Sequence, residues 1–141
     1  MNKIFFPALL VYFCLAGCQS EIPAPGGDLS SLYHTWTLLG IEQGNEYEAV
    51  PAELDPLNME LKAQSQASLN SSCNQGGGDY KADSSGSIDF ETSVWTEAYC
   101  GQLGDQWERL YINSLASVEH FSIAGDQLWL WNDEVSLRFQ R

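Results

Sequence analysis

The segment from Cys73 to Cys100, CNQGGGDYKADSSGSIDFETSVWTEAYC, constrains the fold more than any other part of the chain. It is bounded by two cysteines and carries a run of three glycines and two short strand-like runs. Gly76-Gly77-Gly78 reaches backbone angles that other residues avoid, so a tight turn or bulge is expected just after Asn74. The runs Tyr80–Ala82 and Ser87–Phe90 flank Asp83-Ser84-Ser85-Gly86, whose composition suits a hairpin turn.

The compartment is read from the first residues, MNKIFFPALLVYFCLAGC. Lys3 gives a positive start, and Ile4 to Leu15 are almost wholly apolar, as in an export signal. The apolar run is shorter than the roughly 20 residues that span a bilayer. It ends in Leu15-Ala16-Gly17-Cys18, which has the form of a bacterial lipobox. Residues 1–17 are therefore read as a lipoprotein signal peptide and Cys18 as the lipidated residue. Each buried acyl CH2 contributes about 0.8 kcal/mol, so two or three chains hold a small domain firmly. Gln19 and Ser20 follow, without the aspartate that resembles an inner-membrane retention signal, which points to the periplasmic face of the outer membrane. In that oxidising space Cys73 and Cys100, the pair left beyond Cys18, are expected to join. Closing a loop of this length stabilises by roughly 3–4 kcal/mol through the unfolded chain.

Charge excludes one class of partner. The chain has 19 Asp and Glu against 6 Lys and Arg, a net charge of −13. Such a field repels nucleic acid and favours encounter with cations. There is no basic patch for a phosphate backbone, so no nucleic-acid partner is expected. The acids are scattered along the sequence, the ordinary arrangement of an exported soluble domain.

Residues 18–31 hold prolines and glycines with little apolar content and read as a flexible tether. The folded domain is expected over 32–141, as one domain and a monomer. Leu32 to Ile41 suits a first strand, and Glu42 to Asp55 a loop with a short strand. Leu57, Met59, Leu61 and Ala63 alternate with polar residues, the mark of a half-buried strand, with Ala67–Ser71 as its hairpin partner. After Cys100, Asp105 and Glu108 have capping-box spacing. Trp107, Leu110, Tyr111, Leu115 and Val118 recur at helical steps, predicting a helix over about 105–118. Alternation then returns at His120–Ile123, Gln127–Trp131 and Val135–Phe139, a three-stranded meander.

The ordered series Cys73-Asn74-x3-Gly78-x-Tyr80, Gly86-x-Ile88-x-Phe90, Thr96-x3-Cys100, Glu108-x2-Tyr111-x3-Leu115-x2-Val118 and Phe121-x-Ile123-x-Gly125-x2-Leu128-x-Leu130 resembles the META domain of HslJ-type bacterial envelope proteins. The likeness runs from about Trp36 to Arg141 and is loosest before Leu69. Where the family often has a basic residue followed by Met-Ala after the motif threonine, this chain has Glu97, Ala98 and Tyr99. The resemblance implies a mainly β fold: an antiparallel, partly closed barrel-like sheet with one packed helix and a C-terminal meander. It also implies no enzymatic activity and a loose association with envelope stress and secretion. Asn74, Gly78, Tyr80 and Thr96 are its structural motif residues.

Sites for chemistry are poorly supported by the residues themselves. His34, His120, Cys73 and Cys100 lack zinc-type spacing, and no Asp-x-Asp-x-Asp-Gly calcium loop occurs, so no metal or cofactor is expected. The glycine run lacks the lysine and helix of a phosphate loop. No Gly-x-Ser-x-Gly elbow exists, and no catalytic residue is assigned. Asn74 is either a turn-stabilising side chain or a ligand-binding amide. In Leu128-Trp129-Leu130-Trp131 the leucines and tryptophans point to opposite faces of a strand. Trp129 and Trp131 either meet internal cover or form an exposed binding surface for a peptide, glycan or lipid. The sequence therefore favours a lipid-anchored interaction module with an envelope protein partner. The alternatives are an acidic inhibitor of a cationic, lysozyme-type wall hydrolase and a lipocalin-like carrier. The carrier fails if Trp36, Tyr80, Trp95 and Phe121 fill the interior.

Overall fold

A computed structural model describes residues 21–141, with the backbone alone at positions 92 and 93. The signal peptide read at residues 1–17 and the lipidation candidate Cys18 lie outside the described residues. In chain order come β1 (Thr35–Gln43), β2 (Glu46–Ala49), β3 (Asn58–Lys62), β4 (Gln66–Asn70), β5 (Gln75–Ala82) and β6 (Ile88–Trp95). Then follow α1 (Gly101–Ser117), β7 (His120–Ala124), β8 (Gln127–Trp131) and β9 (Val135–Gln140). The strands form one antiparallel sheet in the order β6-β5-β4-β3-β1-β9-β8-β7, with β2 added on the far half of β1. This is the mainly β, barrel-like architecture expected, and β7, β8 and β9 are the predicted meander.

The sheet closes by a short seam. Ser87, just before β6, bridges His120 on β7. The Ile88 N–H donates to the Glu119 carbonyl at 3.0 Å, and the Phe121 N–H donates to the Gly86 carbonyl at 2.8 Å. The helix that links β6 to β7 also packs on β9. Its Tyr111 hydroxyl donates to the Asn58 carbonyl on β3 at 3.3 Å, and its ring lies 6.3 Å from that of Phe139. The helix therefore touches β3, β6 and β9.

Inside, Trp36, Leu38, Met59, Leu61, Leu69, Tyr80, Ile88, Phe121, Leu128, Leu137 and Phe139 form one buried cluster with Trp107, Tyr111 and Leu115 of α1. A bulge keeps β1 in this pattern. Its register with β9 shifts between Leu38 and Gly40, so Trp36 and Leu38 face inward before it and Ile41 after it. Without the extra residue at Leu39, half the strand would turn its apolar side to water.

Two expectations are corrected and one is narrowed. Of the tight turn or bulge expected just after Asn74, the bulge is what forms: the glycine run lies inside β5, with a register shift against β6 between Gly77 and Gly78. The ring of Trp95 covers Gly76 so closely that a Cβ there would sit 1.7 Å from Cε3. The helix starts at Gly101 rather than near Asp105, with Cys100 as its N-cap, and ends at Ser117. Asp105 is inside the first turns, where its Oδ1 accepts the Cys100 N–H at 2.9 Å, and no capping box forms. Finally, ordered structure begins before Leu32. Gly26, at φ +103, bridges Ser122 of β7 and donates its N–H to the Phe121 carbonyl at 2.9 Å. Asp28 caps a 3-10 turn at Leu29–Leu32, and Leu32 is fully buried.

Candidate functional site

The motif residues converge where the start of β5, the end of β6 and the start of α1 meet. Cys73 and Cys100 come into disulfide contact there, with Cα atoms 5.6 Å apart, a span that a disulfide bridges without strain. Between them Asn74 is buried, and its carboxamide is saturated. Oδ1 accepts from the Thr96 hydroxyl and from the Ala98 N–H, both at 2.8 Å. Nδ2 donates to the Ala98 carbonyl at 2.9 Å and to Glu108 Oε2 at 3.0 Å. A buried amide with every capacity used holds a unique geometry, because losing any one bond strands a polar atom away from water.

Thr96 carries the same lock into the sheet. Its hydroxyl accepts the Gln75 N–H at 3.0 Å, and its own N–H donates to the Gln75 carbonyl at 2.9 Å. Glu108 was assigned by sequence to a capping box and is instead the charged centre of this cluster. It takes the Asn74 amide and the Ser71 hydroxyl. A signal was available: Glu108 lies on the flank of the stripe formed by Trp107, Tyr111 and Leu115, where a carboxylate needs a buried donor.

The lock leaves one feature outward. With Ala98 held at both its N–H and its carbonyl, Glu97 and Tyr99 on either side face solvent, Tyr99 at 79% exposure. They border a shallow depression of about 320 Å³ that is completed by Asp105, Glu108 and Arg109. Its charge is mainly negative. Its lining holds no serine, cysteine or histidine.

Other candidates lie elsewhere. Tyr80 is a core residue whose hydroxyl donates to the Lys62 carbonyl at 2.8 Å and whose ring sits 6.0 Å from Phe90. Gly78 lies at the β5–β6 bulge. Trp129 is only 8% exposed and Trp131 is half-buried against His120, ring centroids 5.6 Å apart. Trp129 therefore offers little surface to a partner. Trp36, Tyr80 and Phe121 are buried in the core cluster and Trp95 packs against that cluster, so the interior is filled by side chains where a lipocalin-like ligand needs space.

A family model for the META domain matches residues 29–141. The chain belongs to the META domain family. Among solved structures, the META domain here is similar to a protein from Burkholderia xenovorans determined by NMR, with 23% identity and a TM-score of 0.68 over 89% of this chain and 95% of that one. It is also similar to a DUF4847 family protein from Bacteroides vulgatus ATCC 8482, with 11% identity and a TM-score of 0.59 over 77% of this chain and 92% of that one. At these identities the likeness extends to the fold. No curated protein matches.

Proposed function

We propose that this META domain is a binding module held at the bacterial outer membrane by lipid on Cys18, facing the periplasm, and that it acts without catalysis. One observation carries the reading: the buried Asn74 amide and Thr96 are spent on fixing a loop whose adjoining side chains, Glu97 and Tyr99, are offered to solvent. An aromatic carried beside a held backbone and next to carboxylates meets a partner with less chain to order, and aromatics are frequent anchors of protein interfaces. The occupant is a periplasmic protein with a basic patch, met in the course of envelope maintenance, stress tolerance or secretion. The HslJ-type likeness and the leader support the compartment, where Cys73 and Cys100 are joined as a disulfide. Among the described residues no helix is long and apolar enough to cross a membrane.

The experiment is capture from envelope extract on the purified chain, run beside Glu97→Lys and Tyr99→Ser, both at exposed positions. A partner retained by the native chain, lost with either variant and weakened steeply by salt is the expected result. Binding indifferent to both substitutions removes the loop from the reading. If the retained protein is a cationic wall hydrolase whose activity falls on binding, the inhibitor alternative takes over. Labelled palmitate incorporated by the native chain and lost in Cys18→Ser tests the anchor.

A further inference from the structure

We propose that the Cys73–Cys100 bond is a thiol-exchange site on the folded domain, opened by a dithiol reductant that attacks Cys73 and expels Cys100. The proposal rests on the disulfide reading above. Cys73 is exposed while Cys100 is half-buried, so a thiolate arriving from solvent meets the Cys73 Sγ. Cys100 is the N-cap of the 17-residue α1 and makes no side-chain cap while it is bonded to Cys73. The helix presents its positive end there. A thiolate released at this point gains that field, and Asn74 Nδ2, which is engaged with Ala98 and Glu108, stands 3.4 Å from the Cys100 Sγ. A stabilised leaving thiolate speeds exchange, and cysteines at helix N-termini are stabilised in this way. Glu108 Oε2, 3.9 Å from the Cys100 Sγ, and Asp105 oppose the new charge. Two donors, Asn74 and Ser71, already engage Glu108, which lessens its repulsion.

The step balances as follows. The donor thiolate bonds to the Cys73 Sγ as the Cys73–Cys100 bond breaks, and its electron pair leaves on Cys100, which takes a proton from water. The second thiol of the donor then displaces Cys73, leaving the donor as a disulfide and the domain with two thiols. The fold tolerates this, because the Asn74 and Thr96 bonds hold β5 to the end of β6 without the sulfurs. The part released is Tyr99 to Leu103, where Tyr99 is 79% and Leu103 40% exposed. Reduction thus loosens the recognition loop while the barrel stays closed.

The test uses the full-length chain purified in detergent. Its thiols are first alkylated without reductant; labelling of Cys73 and Cys100 at that stage would show that the disulfide itself is absent. Glutathione is then added under native conditions, the reaction is quenched in acid, and the mixed disulfide is mapped by peptide mass. The expected result is glutathione on Cys73 with Cys100 free, and release that speeds about tenfold for a tenfold rise in glutathione, as direct attack requires. Dithiothreitol should then complete the reduction with the far-ultraviolet circular dichroism unchanged. Glutathione on Cys100, or a rate independent of glutathione and equal to the unfolding rate measured in a denaturant jump, overturns the proposal.

Discussion

Asn74 is the residue on which the motif depends, because its amide joins the loop after β6, at Thr96 and Ala98, to Glu108 on α1. Asn74→Ala removes these bonds and strands Glu108 and the Ala98 amide. We expect a loss of about 3 kcal/mol, read by urea unfolding of the oxidised protein. Asn74→Asp is expected to be nearly as costly, since it places a carboxylate against Glu108 where an amide donates. Tyr111 governs the alkaline limb. Its complete burial raises the phenol above its ordinary value of 10.0, so the unfolded chain deprotonates first. The stability it supports is fully present below about pH 10 and is lost as pH rises beyond that. Tyr111→Phe should flatten this alkaline fall while costing about 1 kcal/mol at neutral pH for the bond to Asn58. The sequence showed that Asn74 matters but left its role open, because Glu108, the acceptor that settles it, stands 34 residues away.

At the scale of elements, legibility followed periodicity. The alternation at Leu57–Ala63 and after His120 became β3 and the meander, since each has one face on the core and one in water. Elements shaped by neighbours were not legible. The glycines of β5 left a turn and a bulge both open, because nothing local shows that the Trp95 ring lies on Gly76 or that the next strand supplies the bulge. The start of α1 was missed because its N-cap is a cysteine in contact with Cys73, not one of the usual polar caps. The segment before Leu32 read as tether from its prolines and glycines, yet Gly26 is the residue that lets the chain pass under the β5–β6 turn. A Cβ on Gly26 would lie 2.7 Å from the Ser84 carbonyl oxygen. Gly26→Val is expected to destabilise by about 1–3 kcal/mol and to make the chain before Leu32 sensitive to protease, while the barrel core stays protected. The β6–β7 seam rests on few bonds, so native-state hydrogen exchange should find the Ile88 and Phe121 amides opening well before those of β1.

For the whole molecule, the excess of acids means that folding compacts like charges. Its ion pairs, such as Lys81 with Glu91 at 3.1 Å, are exposed and contribute little. Raising sodium chloride from near zero to about 0.15 M, where screening acts over about 8 Å, should raise the melting temperature by a few degrees. A fall would show that those pairs outweigh the repulsion. The order of strands has a further consequence. β1, the first strand made, is bracketed by β3 and by β9, the last. The core side of β1 cannot be sealed until Gln140 has left the ribosome, and contacts this distant in sequence form slowly. A chain whose opening strand must wait for its closing one remains threadable for the whole of its synthesis, which is the state in which a polypeptide can still be passed through a membrane pore.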